Sequence, residues 1–154
     1  MRRRDFIKGI AGSTTAWPLV ARAQQPAMPV VGFINPGTAD ASTRRIAAFR
    51  EGLSDAGYAE GQNVIVEYHW LEGNYDRLPA VVTDLVQRRV AVIATPSSTE
   101  AALAARTATT TIPIVFGVSE DPVVLGIVAS LARPGGNATG VIFWPTKSMP
   151  SDLG

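Results

Sequence analysis

The sequence has 154 residues, of which 46% are apolar and 18% charged, and this composition suits one folded domain with a sizeable core. The absence of cysteine excludes disulfide bonds and thiolate metal sites. Fourteen Lys and Arg residues nearly balance thirteen Asp and Glu residues, and no apolar stretch has the length of a membrane span. Neither a nucleic-acid-binding protein nor an integral membrane protein is expected.

The first 23 residues have the features of a twin-arginine export signal. Residues 3–8 read RRDFIK, and residues 9–20 form an uncharged, mildly apolar run that is shorter than the roughly 20 residues of a bilayer span. Residues 21–23, Ala-Arg-Ala, have the small-x-small form that signal peptidase needs. We therefore expect cleavage after Ala23 and a soluble protein in the periplasm. The alternative is a basic N-terminal arm on a cytosolic protein.

Removal of this signal changes the charge balance of the chain. Residues 24–154 carry nine Lys and Arg against twelve Asp and Glu, a net charge of −3. This leaves no basic face for nucleic acid. Because no cysteine follows the signal, we expect neither a lipid anchor nor stable membrane insertion after cleavage.

From residue 28 onward, continuous apolar runs alternate with segments of helical spacing. Strands are predicted at 28–34, 63–70, 90–94, 112–118 and 139–143, and helices at 41–57, 76–89, 98–107 and 122–132. Asp76 is expected to cap the second helix. Five such alternations predict an α/β fold, a flavodoxin-like parallel five-stranded sheet with helices on both faces, because right-handed crossovers place helices on each side. The expected strand order is 2-1-3-4-5.

In a sheet of this order the ligand site lies at the carboxyl ends of the strands, at the switch point between the first and third strands. Three loops rich in small hydroxyl, amide and glycine groups are expected there, and such loops suit a ligand carboxylate bound near a helix N-terminus. The candidate ligand-binding residues are Asn35, Gly37, Thr38, Thr95, Ser97, Ser98, Thr99, Gly117, Ser119 and Asp121.

Two of these loops have a second interpretation. Ser97 or Ser98 suits the N-cap of the third helix, a role that is compatible with ligand contact. Asp121 precedes Pro122 and could cap the fourth helix, or its carboxylate could hold a ligand ammonium group. Both alternatives stay open at this point.

Signals for catalysis are weak. The single histidine, His69, sits inside a predicted strand, and one histidine without cysteine cannot form a usual zinc site. A Ser-His-Asp arrangement would need His69 at the strand ends, and nothing in the sequence places it there, so we expect a histidine on the face or rim of the sheet. Neither of the common glycine-rich phosphate motifs is present, and the adjacent carboxylates Glu120 and Asp121 point apart. We expect no catalytic residue, no metal and no cofactor, and interpret the chain as a binding protein.

Short sequence blocks spread over residues 1–143 carry a family resemblance. They are RRDFIK (3–8), AWPL (16–19), ARAQQP (21–26), FREGL (49–53), GYAEGQNV (57–64), YDRLPA (75–80), TIPIVF (111–116), DPV (121–123), LG (125–126) and SLARPGGNATG (130–140). In this order they resemble a bacterial family of ABC-transporter substrate-binding proteins.

The resemblance implies one lobe of a type I periplasmic binding protein, which closes with a second lobe on a small ligand. Aromatic amino acids are known among the ligands of some relatives. The implied partners are a small-molecule solute and the permease subunits of an ABC importer. Residues 24–143 then form the N-terminal ligand-binding lobe, which on its own is expected to fold marginally and bind ligand weakly or not at all.

Residues 144–154 depart from the family pattern. Relatives continue from the fifth strand into an amphipathic helix, whereas this segment contains two prolines and no apolar stripe. We interpret it as an aberrant or truncated hinge segment. A fold alone does not fix function, so an exported enzyme, a sensory ligand-binding domain on the same scaffold and a non-functional gene fragment remain alternatives.

Overall fold

The computed structural model of the chain describes residues 27–143. The expected signal peptide and the segment 144–154 lie outside this range. Short 3-10 turns at Asp40–Ser42 and Tyr75–Arg77 lead into the first and second α-helices. The main elements, in chain order, are β1 (Val30–Asn35), α1 (Thr43–Asp55), β2 (Ile65–Trp70), α2 (Leu78–Gln87), β3 (Val92–Thr95), α3 (Thr99–Ala108), β4 (Ile114–Val118) and β5 (Ala138–Ile142).

The five strands form one parallel sheet in the order β2-β1-β3-β4-β5, which confirms the predicted topology. Phe33 in β1 lies opposite Tyr68 in β2 and Ala94 in β3. Because successive side chains of a strand point to opposite faces, β1 and β3 contribute to two separate apolar layers. All five carboxyl ends meet at one edge of the sheet.

Helices α2 and α3 cover the first face. Ile34, Ile93 and Ile114 from the sheet and Leu85 from α2 are fully buried there. The side of α3 that faces the sheet carries three buried alanines, Ala101, Ala102 and Ala105. Small side chains let that helix lie close to the strands, so the larger isoleucines fill the layer between them.

Helix α1 covers the second face over β1 and β2. Phe33 is fully buried and lies 4.9 Å from the ring of Phe49 in α1, 5.4 Å from Tyr68 and 6.2 Å from Trp70, measured between ring centroids. Burial raises the pKa of the Tyr68 phenol. Such aromatic pairs add to the stabilisation that comes from buried area alone.

Across β4 and β5 the second face carries exposed apolar side chains. Val115 and Val141 are 44% and 56% exposed. Helices therefore lie on both faces, as predicted, but this face is covered only in part by the described residues. None of the helices within 27–143 is long and apolar enough to cross a membrane.

The helix predicted at 122–132 is wrong. This stretch contains turns and bends, with a single helical turn in which the Leu125 amide donates to the Asp121 carbonyl oxygen. Gly126 follows with a φ of +73°, and the amide of Ile127 reaches back to the carbonyl oxygen of Pro122. This is the Schellman arrangement that ends helices. The left-handed glycine stops the helix after one turn.

The predicted cap of the second helix is also wrong. The side chain of Asn74 accepts a hydrogen bond from the Asp76 amide at 3.2 Å, so Asn74 caps the 3-10 turn before α2. Pro79 lies in the first turn of α2, where its missing N–H costs no helical hydrogen bond. The capping residue lies two positions earlier than the sequence pattern indicates, because the 3-10 turn precedes the α-helix.

Candidate functional site

A cleft of about 670 Å³ opens at the carboxyl ends of β3 and β4. Its volume lies in the range of small-molecule sites, roughly 300–1,000 Å³. Its lining combines three residues with hydroxyl groups, two arginines, three apolar residues and one glycine. The lining residues are Arg44, Arg45, Ala48, Ser97, Thr99, Gly117, Val118, Ser119 and Phe143.

The two arginines come from the first turn of α1, whose N-terminus lies at this edge of the sheet. Both side chains are exposed, and neither makes an ion pair with another described residue. No Asp or Glu from residues 27–143 is among the lining residues. The described part of the cleft therefore carries a net positive charge.

The loop between β3 and α3 contributes Ser97 and Thr99, while Ser98 between them caps the helix. The Ser98 Oγ accepts a hydrogen bond from the Ala101 amide at 3.1 Å and donates to Glu100 Oε2 at 3.2 Å, and the residue is buried. This cap holds the N-terminus of α3 beside the cleft. Helix N-termini favour anions, because their first N–H groups lack a partner within the helix.

Gly117 is required by the close approach of β4 to the neighbouring loop. A Cβ atom at this position would lie 2.5 Å from the Pro96 carbonyl oxygen and 2.7 Å from Cε2 of Phe143. No real side chain tolerates such distances, so glycine here allows two walls of the cleft to meet. Ser119 follows directly after β4 and is exposed.

The remaining candidates from the first and third strands lie outside the lining of this cleft. Asn35 is buried, and its Oδ1 accepts hydrogen bonds from the Gly37 amide at 2.9 Å and the Ser42 hydroxyl at 3.3 Å. Thr38 Oγ1 accepts from the Ala41 amide at 3.3 Å. Thr95 is fully buried, and its hydroxyl has no hydrogen-bond partner among the described residues. These groups shape the loops behind the cleft wall.

Asp121 has a capping role. Its Oδ1 accepts a hydrogen bond from the Val123 amide at 2.8 Å, which starts the single helical turn described above. The side chain is exposed and does not line the cleft. Of the two roles considered for the Asp121 carboxylate, helix capping and contact with a ligand ammonium group, the structure contains the capping hydrogen bond.

Sequence reasoning missed Arg44, Arg45 and Phe143. The predicted first helix contains both arginines, and a helix that follows β1 must begin at the carboxyl edge of the sheet, so a signal for them existed. Phe143 lies directly after β5, and its amide donates to the Val118 carbonyl oxygen at 2.7 Å, which fixes its ring beside Gly117.

His69 lies in β2 opposite Ile34, and it is not among the residues that line the cleft. Its Nε2 is 3.7 Å from Glu67 Oε2. Arg88 at the end of α2 donates to Glu67 Oε1 at 2.8 Å, and this hydrogen bond lowers the pKa of the Glu67 carboxyl. The ion pair between Glu67 and Arg88 connects β2 with the end of α2. No cluster of three metal-ligating side chains occurs within residues 27–143.

The sequence matches a protein family described as ABC transporter substrate binding protein over residues 28–146. The chain belongs to this family. It is a family of substrate-binding proteins and not of enzymes, which confirms the prediction of a non-enzymatic role. Proteins of this kind typically act outside the cell or in the periplasm.

One curated relative is the Tyrosine-binding protein of Clostridioides difficile, 34% identical over 95 residues, which are 60% of this chain and 26% of that protein. A solved conserved domain protein from Vibrio cholerae has a TM-score of 0.70 at 29% identity, over 78% of this chain and 40% of the other. A Streptococcus pneumoniae ABC domain in complex with L-Trp has a TM-score of 0.66 at 24% identity, over 75% and 39%.

These likenesses fix the fold as one lobe of a type I periplasmic binding protein, as the resemblance implied. A ligand-free, open substrate-binding protein with adhesive properties from Clostridium difficile also has a TM-score of 0.70, at 24% identity over 77% of this chain and 40% of that one. The chain thus spans about a quarter of the curated relative and about 40% of the solved chains that it matches.

Proposed function

We propose that the chain is the N-terminal ligand-binding lobe of the periplasmic solute-binding component of an ABC importer. In this proposal the twin-arginine signal directs export, and residues 144–154 belong to the segment that leaves the lobe. The cleft at the carboxyl ends of β3 and β4 binds a small carboxylate or amide solute such as an amino acid, aromatic ones included. The partners are that solute and the permease subunits, with no nucleic acid.

The observation that supports this most is the chemistry of the cleft. Ser97, Thr99 and Ser119 offer hydroxyls that can donate to a carboxylate or an amide oxygen. Ala48 and Phe143, which are both exposed, offer apolar surface for the rest of a small molecule. A few convergent polar groups on a partly apolar wall are typical of small-molecule sites.

The relatives support the amino-acid class. One is named for tyrosine, and another was solved with L-Trp. Among the candidate residues, Ser97, Thr99, Gly117 and Ser119 then contact the solute directly. We assign Asn35, Gly37, Thr38, Thr95, Ser98 and Asp121 to the support of the loops, on the hydrogen bonds and burial given above.

The test is thermal unfolding of the chain with millimolar amino acids, including Trp, Tyr, Phe and the branched aliphatic ones. A ligand at about 100 times its dissociation constant stabilises a folded state by about 2.7 kcal/mol, which is several degrees for a domain of this size. One lobe alone is expected to bind weakly, so the solutes are used at concentrations high enough to occupy a weak site. Under these conditions we expect a shift with one chemical class of solute, and we expect Ser119→Ala to reduce it.

Ser54→Ala is the matched control, because Ser54 is exposed on α1 and does not line the cleft. The control should respond to solute as the unchanged chain does. A cooperative melt that no carboxylate or amide solute moves, tested up to tens of millimolar, would contradict binding by this lobe.

A further inference from the structure

We infer that Phe143 is a specificity-determining residue of the cleft, and that it favours amino acids with a flat aromatic ring over aliphatic ones of the same size. This inference rests on the proposed function, because it names the side chain of the solute and the residue that contacts it in the same cleft. It depends on the exposure of Phe143, on the contacts that fix its position, and on the two arginines in the same lining.

Phe143 is the principal apolar group of the cleft. It is 54% exposed, and among the lining residues from 27–143 it is the single aromatic one. Val118 also lines the cleft but is buried, and the exposed Ala48 has only a methyl group to offer. A solute that buries apolar surface against the described part of the cleft therefore buries it mainly against this ring.

Two contacts fix the position of Phe143. Its amide donates to the Val118 carbonyl oxygen at 2.7 Å, which continues the pairing of β5 with β4 beyond Ile142. Its Cε2 atom lies against Gly117, where a Cβ atom would be only 2.7 Å away. A ring that is held in place before binding loses little conformational freedom when a second ring stacks on it, so its affinity for that ring is higher.

The contact with Gly117 could also serve a purely structural purpose, the cover of a glycine by a neighbouring side chain. That purpose needs an apolar side chain of sufficient size, and leucine would serve it as well as phenylalanine. Recognition of a flat ring instead depends on the aromatic face, because offset-stacked and edge-to-face ring pairs gain energy beyond the area that they bury. The two roles therefore differ in the effect of leucine at position 143.

The arginines of the lining act in the same direction as Phe143. Arg44 and Arg45 belong to the first turn of α1, and neither pairs with an acidic side chain among the described residues. A guanidinium group can pair with the carboxylate of the solute, and it also stacks on the face of an aromatic ring. A saturated ring or an aliphatic chain has no such face and gains only apolar contact.

The test compares L-phenylalanine with L-cyclohexylalanine, which carries a saturated ring in the same place, and with L-leucine. Dissociation constants are measured on the chain by nuclear magnetic resonance, from the amide shifts of Ser97, Gly117 and Ser119 at millimolar solute concentrations. We expect L-phenylalanine to bind roughly three- to tenfold more tightly than L-cyclohexylalanine, because an aromatic pair contributes about this much beyond buried area. This comparison uses the unchanged chain and does not depend on the folding of any variant.

Phe143→Leu should abolish the preference, because leucine keeps an apolar side chain beside Gly117 without an aromatic face. Phe143→Tyr should retain the preference. Val141→Ala is the matched control, since Val141 is an exposed apolar residue of β5 that does not line the cleft, and it should leave both affinities unchanged. The melting temperature without solute shows that each variant is folded.

Equal affinities of L-phenylalanine and L-cyclohexylalanine for the unchanged chain, or tighter binding of either aliphatic solute, would reject the inference and leave the proposed function standing. A preference that survives in Phe143→Leu, with equal losses of affinity for both solutes, would mean that Phe143 only covers Gly117. No shift with any of the three solutes, together with none with the amino-acid panel given above, would reject the proposed function as well.

Discussion

At the scale of single residues, Asn35 organises the loop after β1. Its side chain is 1% exposed, and one oxygen accepts two hydrogen bonds, from the Gly37 amide and the Ser42 hydroxyl. Its amide nitrogen also faces Ser97 Oγ at 3.5 Å, which connects this loop with a wall of the cleft. Asn35 therefore influences the cleft through the loops that it holds.

Asn35→Ala should lower the free energy of unfolding by about 1–3 kcal/mol, because it leaves a buried hydroxyl and a backbone amide without their acceptor. Urea unfolding measures the change. Gln87→Ala is the control, since Gln87 is an exposed amide at the end of α2, and it should change stability by less than about 0.5 kcal/mol. Equal effects of the two changes would contradict the role given to Asn35.

The sequence predicted the polar loops at the carboxyl ends of the strands, but not what each polar side chain does there. Asn35 looks like a ligand contact in a linear sequence, and the structure gives it internal hydrogen-bond partners. For Ser98 the sequence left capping and ligand contact open together, and the structure shows the capping hydrogen bond. Conversely, Arg44 and Arg45 look like ordinary solvated charges. Which side of a helix reaches a cleft depends on where that helix is placed on the sheet, and spacing along the chain does not contain this information.

At the scale of elements, the turn from Asp121 to Ile127 shows a conflict between apolar spacing and backbone conformation. Its apolar residues have helical spacing, which predicted a helix through residue 132. Gly126 adopts a φ of +73°, and nothing lies within 4 Å of the position a Cβ atom would take there. Any cost of a side chain at this position therefore comes from the left-handed backbone alone.

Gly126→Ala has opposite consequences in the two conformations. In the observed turn it should destabilise the protein by about 1 kcal/mol, because alanine resists the left-handed region. In a continuous helix it would stabilise the protein by a similar amount. Thermal or urea unfolding measures whether the variant is less or more stable than the unchanged protein. Gly52→Ala is the matched control, since Gly52 lies inside α1 with open space around it, and it should stabilise by roughly 0.5–1 kcal/mol.

The strands were predicted more accurately than the helix ends. Continuous apolar runs between turn signals mark buried parallel strands, and all five runs became strands shifted by no more than about two residues. The helix starts depended on 3-10 turns and on caps from preceding residues, such as Asn74. These features arise from local hydrogen bonds that several side chains compete to make, so the sequence leaves them undecided.

At the scale of the whole molecule, one sheet separates two apolar layers. Phe33 belongs to the layer under α1, while Ile34, its neighbour in β1, belongs to the layer under α2 and α3. Gly32 in β1 faces α2, where a Cβ atom would lie 2.6 Å from the Leu85 side chain. The glycine therefore lets α2 pack closely against β1. Since β1 contributes to both layers, loss of either one should disrupt the whole sheet.

Phe33→Ala should therefore destabilise the protein by about 3–5 kcal/mol and lower one common transition. Far-ultraviolet and near-ultraviolet circular dichroism should report the same midpoint. Val124→Ala, at a side chain that is 84% exposed, is the control and should change stability little. Separate midpoints for the two signals in the Phe33 variant would mean that the layers unfold independently.

The sheet order and the location of a cleft at the carboxyl edge followed from the alternation of strands and helices, which is a property of the whole chain. The alternation of strands and helices did not predict that helices would cover the second face only in part. Val115 and Val141 read as core residues in the sequence, yet both are largely exposed on β4 and β5. Apolar content indicates what a strand can bury and does not indicate which other element will cover it.

The position of Phe143 couples the cleft to the edge of the sheet. Among the described strands β5 pairs only with β4, and Phe143, directly after β5, both lines the cleft and donates its amide to Val118. An edge strand held on one side opens by local fluctuation more easily than the strands between two neighbours. Each such opening would remove part of the wall that a bound solute touches. Occupancy of the cleft should therefore slow amide hydrogen exchange along β5, far beyond the atoms in contact with the solute.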